Sequence, residues 1–196
     1  MAIIGEVLFM RRDGGSVSDV VRHVEGQMQQ QVDAYDERKF DAQSDAEVVD
    51  VLARDLSVEP LLVDFEKGEK NVEETTISVR DVFGDTGSVP GLILTKKFSF
   101  TGDADLWNFG TGQWGSMMPR GEIYGRTLTV GMEVRATDSD AAVQHITSTV
   151  EQIKHYLELQ KAALDPFNAS LPSQLLPLIE ARRARRGSAQ SLLDKF

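Results

Sequence analysis

The sequence predicts an α+β fold: an antiparallel or mixed sheet of about five strands, packed with two early helices and a long C-terminal helix, and followed by a short basic helix. Two runs, Leu92–Phe100 and Leu128–Val134, place apolar side chains on one face at period two, as strands with one solvated face do. After Thr137 the apolar side chains recur at steps of three and four, which is typical of a helix with one buried face.

The elements before residue 80 follow from turn, cap and periodicity signals. Serines that can cap a helix precede one apolar-periodic segment, and an acidic residue lies at the positive end of a second. The predicted elements are a strand from Ile3 to Met10, a helix beginning after Ser16 or Ser18 with apolar positions as far as Tyr35, a helix from Asp45 to Leu56, and a hairpin joining Leu61–Phe65 to the run around Ile77 and Val79.

The long C-terminal helix is predicted to end at Asp165, because Pro166 disfavours helical conformation in the residue before it and cannot continue the hydrogen-bond ladder. A corner over 168–172 then leads into the basic helix. The apolar stripe of the long helix, which only Gln160 interrupts, consists of Val143, Ile146, Val150, Ile153, Leu157 and Leu164.

Length and charge suggest a domain with an appendage. The 196 residues are enough for one sizeable core, so we expect an α+β core domain over 1–168 and a basic helical tail or connector over 169–196. The formal charge is −10, but the tail contains five basic and two acidic residues, so it carries +3 and the rest carries −13. The acidic balance argues against nucleic acid or anionic membrane as a general partner.

The composition also indicates a cellular compartment. The chain has no cysteine, which excludes disulfides and thiolate chemistry and is compatible with a reducing cytoplasm. The N-terminus has neither a basic segment nor an apolar core of signal-peptide length, and no window approaches the roughly 18 apolar residues that a membrane span needs. The sequence therefore predicts a cytoplasmic protein without a membrane partner.

The segment from Thr101 to Glu122 is the best candidate for a recognition surface, because long loops in compact domains are often functional. The alternative is that Leu106, Trp107 and Phe109 close the open end of the core, as buried tryptophans commonly do. The predicted ligand or partner surface consists of Asp103, Trp107, Trp114 and Arg120.

Catalytic and cofactor motifs lack the context that their chemistry requires. Residues 110–115 read G-x-G-x-x-G, but no helix is predicted at the third glycine to face a pyrophosphate. The three histidines are scattered, and the acidic pairs Asp103/Asp105 and Asp138/Asp140 are better explained as helix caps than as metal ligands. The sequence therefore predicts no catalytic residue, no metal site and no cofactor.

The basic helix contains an apolar group and a run of arginines. Its apolar residues, Leu175, Leu176, Leu178 and Ile179, are expected to be exposed and to pair with a second copy or with a missing domain. Its arginines could contact phosphate or could favour the negative end of their own helix, and the second interpretation is preferred. The predicted interaction tail consists of Leu175, Leu176, Ile179, Arg182, Arg183, Arg185 and Arg186.

Several segments together resemble the N-terminal region of bacterial proteins of uncharacterised function: Phe100–Asp103 with Leu106-Trp107, Pro119–Glu122, Ile153 with Tyr156-Leu157, Phe167–Pro172 and Ile179–Arg183. In those proteins this region precedes a restriction-endonuclease-like or other effector domain. The resemblance implies a regulatory or sensing half whose native chain continues into an effector, and by analogy alone a link to antiviral defence. It supplies no catalytic residues.

The sequence thus favours a non-catalytic interaction, sensing or regulatory module, either a homodimer or joined to an effector domain. The alternative is a small-molecule-binding or hydrolytic domain that uses the Trp107–Arg120 loop as a lid. A third possibility is nucleic-acid binding through Arg182–Arg186, which would weaken steeply with salt.

Overall fold

The computed structural model describes residues 1–10, 15–80, 83–112 and 118–193, and it confirms the α+β class. Its strands are β1 (Ala2–Ile3), β2 (Glu6–Val7), β3 (Leu62–Val63), β4 (Glu69–Arg80), β5 (Thr86–Thr101), β6 (Arg120–Tyr124) and β7 (Thr127–Arg135). Its α-helices are α1 (Val17–Ala34), α2 (Glu37–Ala42), α3 (Asp45–Leu56) and α4 (Ser139–Leu193), and 3-10 helices span Ala104–Asn108 and Ala136–Asp138.

The chain forms two compact units, and their boundary differs from the expected one at residue 168. The sheet unit comprises Met1–Ser16 and Pro60–Lys161, and the helical unit comprises Val17–Glu59 and Ala162–Phe196. The predicted tail therefore belongs to a unit that also contains the two early helices.

The sheet unit is built on β5, the longest strand. β5 pairs antiparallel with β4 over twelve residues, with β7 over Gly91–Ser99 and with β3 at its C-terminal end. The other edge of β7 pairs with β6 and with β1, and β2 pairs with β6. The hairpin is thus formed by β4 and β5, not by the 61–65 segment and β4. β6 begins within the stretch from Thr101 to Glu122 that was predicted to be a loop.

The predicted first strand is divided in two at Gly5. The φ angle of Gly5 is 87°, a left-handed conformation that glycine adopts without steric cost. A Cβ there would lie 2.1 Å from the carbonyl carbon of Gly121. The chain bends at this residue, so that β1 pairs with β7 and β2 pairs with β6.

The period-two pattern correctly identified much of the sheet core. Leu94, Phe98 and Phe100 are buried on β5, and Leu128, Val130 and Val134 are buried on β7. The stripe of α4 is confirmed from Ile146 onward, but Val143 is 54% exposed and Ala142 is buried instead.

The helical unit contains α1, α2, α3 and the second part of α4. The sequence predicted α3 with the bounds that the structure has, and Ser44 and Glu47 form a capping box at its start. It missed α2, a six-residue helix capped by Asp36. Near the C-terminal end of α3, the side chain of Asn168 both accepts from the backbone N–H of Val58 and donates to its carbonyl.

The prediction that Pro166 ends the long helix is wrong, because α4 continues through Pro166, Pro172 and Pro177. All three prolines are exposed, and so lie away from the buried side chains Leu164, Phe167, Leu171, Leu175 and Ile179. Each proline removes one helical hydrogen bond, at a cost of roughly 3 kcal/mol in a free helix. Burial of five large apolar side chains offsets this cost, since each contributes about 1.5–3 kcal/mol.

Candidate functional site

Trp107, the first of the predicted recognition residues, belongs to the core of the sheet unit. It is 2% exposed, and its ring centroid lies 5.3 Å from that of Phe9 and 5.4 Å from that of Phe100. Phe9 in turn stacks on Tyr156 of α4, with ring centroids 5.0 Å apart. These contacts agree with the interpretation in which Trp107 closes the core, and they leave its ring little access to a partner.

Gln160 holds the tryptophan loop to α4, and the sequence analysis assigned it no role. It is 1% exposed, and its Nε2 donates to the carbonyls of Leu106 at 2.9 Å and Phe109 at 2.8 Å. Those carbonyls lie at the end of the 3-10 helix, and that of Leu106 also accepts from the backbone N–H of Phe109. The signal was present in the sequence, since Gln160 is the one polar interruption of the apolar stripe.

Asp103 and Arg120 both have local structural roles. Asp103 is the N-cap of the 3-10 helix, where its carboxylate accepts from the backbone N–H of Asp105 at 3.0 Å. Arg120 donates through Nε and an Nη to the carbonyl of Gly5, at 3.2 and 2.9 Å, where the first strand bends. Both residues are exposed. The fourth predicted residue, Trp114, lies outside the described residues.

Three buried polar atoms in or against this loop have no hydrogen-bond partner among the residues that the structure describes: Trp107 Nε1, Thr111 Oγ1 and Gln160 Oε1. Buried polar groups are normally satisfied, so each such atom calls for a physical explanation. Phe9, which stacks on Tyr156 and lies at a tilt against Trp107, also has a φ of 58°, an uncommon conformation for a non-glycine residue. Unsatisfied donors and acceptors together with backbone strain make this the most unusual part of the sheet-unit core.

The arginine run is engaged within the helical unit. Arg182 is 6% exposed and donates to the carbonyls of Val32 at 2.6 Å and Tyr35 at 2.9 Å, at the C-terminal end of α1. The last turn of α1 has no basic residue of its own, so Arg182 supplies the positive charge that a helix C-terminus favours. Its guanidinium carbon also lies 4.2 Å from the ring centroid of the buried Phe40.

The other three arginines pair with acidic residues of the early helices. Arg183 bonds the carboxylate of Asp45 and the carbonyl of Gln43, and its guanidinium carbon lies 4.5 Å from the Phe40 centroid. Arg185 pairs with Asp33 at 2.6 Å, and Arg186 pairs with Glu37 at 3.1 Å and Asp41 at 2.9 Å. The run is thus neutralised locally, an arrangement that neither earlier interpretation anticipated.

The expectation of an exposed apolar group on the basic helix is wrong for its main members. Leu175 and Ile179 are fully buried, Leu178 is half-buried, and only Leu176 is exposed, at 39%. The reason is the helical period: residues 171, 175, 179 and 182 share the face that packs inside the helical unit. This face is therefore already covered within the chain.

A two-stranded arm extends beyond the rest of the sheet. β7 pairs with β5 only as far as Gly91, whereas β4 and β5 continue to pair through five further positions, from Thr76 opposite Pro90 to Arg80 opposite Thr86. We call Thr76–Arg80 and Thr86–Pro90 the β4–β5 arm. In the described part of the chain, no strand pairs with the outer edge of β4. Near the tip of the arm, Phe83 is 89% exposed.

The two pKa shifts that the structure explains belong to local caps and turns. Hydrogen bonds from the backbone and hydroxyl of Ser44 lower the pKa of Glu47, and a hydrogen bond from Lys67 lowers the pKa of Asp64. Among the described residues, no group of three histidine or acidic side chains could hold a metal ion. Within the same residues, no helix is both long and apolar enough to cross a membrane.

Comparison with known proteins gives no relative: no protein-family model, curated protein or solved structure matches the chain. The chain's own residues therefore carry the functional argument.

Proposed function

We propose that the protein is a non-catalytic interaction module with a sensing or regulatory role, and that it binds a partner protein through the β4–β5 arm. The observation that carries this proposal is that β4 and β5 continue to pair with each other after the pairing of β5 with β7 has ended at Gly91. An isolated two-stranded hairpin is marginally stable in water, so such an arm gains stability when a further strand or surface covers it.

The composition of the arm supports the same proposal. Ile77, Val79 and Val89 are half-buried, and Ile77 lies opposite Val89. The side chain of Ile77 covers Gly91, where a Cβ would come within 2.6 Å of it. An apolar surface on an edge strand that has both free donors and free acceptors is the kind of surface that peptides and other strands bind.

The surfaces that the sequence favoured earlier are less suited to this role. Trp107 is buried, Arg120 holds the bend at Gly5, and the apolar face of the basic helix is covered. The arginine run is paired with carboxylates and carbonyls, which argues against the nucleic-acid alternative. An effector domain as partner, and a link to defence, are suggested by the resemblance alone and remain part of the proposal.

Site-specific photo-crosslinking in the cells that naturally produce the protein tests the proposal. A photoreactive amino acid is placed at Ser78 of the arm and, as the matched control, at the equally exposed Ser18 of α1. We expect a discrete crosslinked product from the Ser78 position only, with loss of that product when Ile77→Lys places a charge on the apolar face. No product at Ser78, or the same products at both positions, would rule out the arm as the interaction surface.

A second candidate function, small-molecule binding at the tryptophan loop, is favoured by the unsatisfied atoms of Trp107, Thr111 and Gln160. If a small polar ligand forms hydrogen bonds with these atoms, a substitution that removes one of the atoms should abolish ligand binding. If the site stays empty, Thr111→Val relieves a buried, unpaired hydroxyl and raises stability by up to about 1 kcal/mol. Chemical denaturation of the protein purified from its natural source distinguishes the two, because a bound ligand predicts lower stability for the variant. We expect the stabilising result.

A further inference from the structure

We infer that the partner of the β4–β5 arm is a second copy of this chain, which adds its own β4 antiparallel to the outer edge of β4. This inference rests on the proposed function and specifies the partner. The two copies are related by a two-fold axis that passes between the two Ile77 residues. Seven residues of each copy, Glu74–Arg80, pair across the interface.

The distribution of charge along β4 limits which part of the edge can pair. The base of the strand carries Lys70, Glu73 and Glu74, which are charges of the kind that protect exposed edges from pairing. From Thr75 to Val79 the strand has five consecutive uncharged residues, and all of them except Ser78 are β-branched. The opposite strand of the arm is a poorer edge, because Pro90 lacks a backbone donor.

The choice of a second copy rests on charge complementarity in one register. In a symmetric antiparallel pair centred on residue 77, two residues lie opposite each other when their numbers add up to 154. Glu74 of one copy then faces Arg80 of the other at both ends of the pairing, on the same face of the joined sheet. The same register places Ile77 opposite Ile77, and Thr75 opposite Val79.

Neighbouring registers lack this match. Centring on residue 75 places Lys70 opposite Arg80, a like-charge pair that opposes association. Centring on residue 76 places Glu73 opposite Val79 and leaves Arg80 opposite Val72, so neither charge gains a partner. Among the registers centred within the uncharged interval Thr75–Val79, only the one centred on Ile77 combines two ion pairs with a central apolar pair.

Single-cysteine crosslinking of the purified full chain tests the register directly, because the chain contains no cysteine of its own. Directly opposite residues in an antiparallel pair have Cα atoms about 4.5–5.5 Å apart, within the range that a disulfide bridges. We expect Ile77→Cys to form a covalent dimer under mild oxidation. Ser78→Cys should not crosslink with itself, but should crosslink when mixed with Thr76→Cys.

Charge reversal provides an independent test that leaves the apolar residues unchanged. Glu74→Arg and Arg80→Glu each convert two attractive pairs into two repulsive ones, so each should raise the dimer dissociation constant about tenfold. The double variant restores opposite charges and should return the constant to near the wild-type value. Analytical ultracentrifugation measures all four proteins, and circular dichroism verifies that each is folded.

The outcomes separate this inference from the proposed function. A monomeric wild-type chain at the highest soluble concentration, or equal crosslinking of Ile77→Cys and Ser78→Cys, overturns self-pairing. If Ser78 nevertheless gives a crosslink to a different protein in cells, the arm is still the interaction surface and only its partner is wrong. Failure of the double variant to recover overturns the register centred on Ile77.

Discussion

Gln160 and Arg182 show how single polar residues organise the two units. Each is buried, and each donates to two backbone carbonyls at or just beyond the C-terminal end of a helix. Each such hydrogen bond contributes about 0.5–1.5 kcal/mol to stability, so one buried donor that makes two of them is favoured. Neither role depends on chemistry at a functional site.

Alanine substitutions should show that the buried Arg182 contributes more to stability than the exposed Arg185. Arg182→Ala removes two charge-assisted hydrogen bonds and the contact with Phe40, and we expect a loss of roughly 2–4 kcal/mol in the free energy of unfolding. Arg185→Ala breaks only an exposed pair with Asp33 and should cost about 0–1 kcal/mol. Urea denaturation of both variants makes the comparison.

Arg182→Lys is the informative control for that experiment. Lysine retains the positive charge but lacks the planar fork that reaches two carbonyls, so the variant should recover only part of the lost stability. Equal stability of the alanine variants at positions 182 and 185 would contradict the structural role of Arg182.

The sequence carried partial information about these residues. The break in the apolar stripe at Gln160 was visible, but its partners are backbone groups more than fifty residues away along the chain, which local periodicity does not identify. The arginine run was visible too, but the preferred interpretation assigned it to the C-terminal end of its own helix. The helix concerned is α1, about 150 residues earlier, and not the arginines' own helix.

At the level of elements, short-range signals predicted well where they acted alone. The bounds of α3 followed from its apolar spacing and from the acidic residue at its positive end, and the sheet cores of β5 and β7 followed from alternation. The signals failed where tertiary burial outweighed them, most clearly at Pro166, where α4 continues because its opposite face is buried. Local signals also did not identify the strand partners, since β4 pairs with β5 and not with the preceding β3.

The β4–β5 arm is the element in which local sequence and tertiary structure disagree most. Most of its β4 residues, Thr76–Arg80, are good strand formers, yet they have only β5 as a neighbouring strand among the described residues. Elements of this kind are usually protected by charges, and here the charges stop at Glu74 and resume at Arg80. The unprotected interval is the basis of the proposed pairing.

At the scale of the whole molecule, the net charge of −10 favours separate, soluble copies, because like-charged proteins repel one another. Association must therefore occur at a surface with little net charge. The interval Thr75–Val79 carries none, and one ion pair forms at each end of the proposed interface. The predicted dimer thus uses the part of the sheet edge where repulsion is smallest.

Hydrogen exchange of the β4 amides, followed by mass spectrometry at increasing protein concentration, tests the central claim most directly. We predict that exchange of Thr75–Arg80 slows as concentration rises, while exchange in β7, which is paired on both edges along much of its length, does not change. Exchange of Thr75–Arg80 that stays fast and independent of concentration would contradict pairing between copies through this edge.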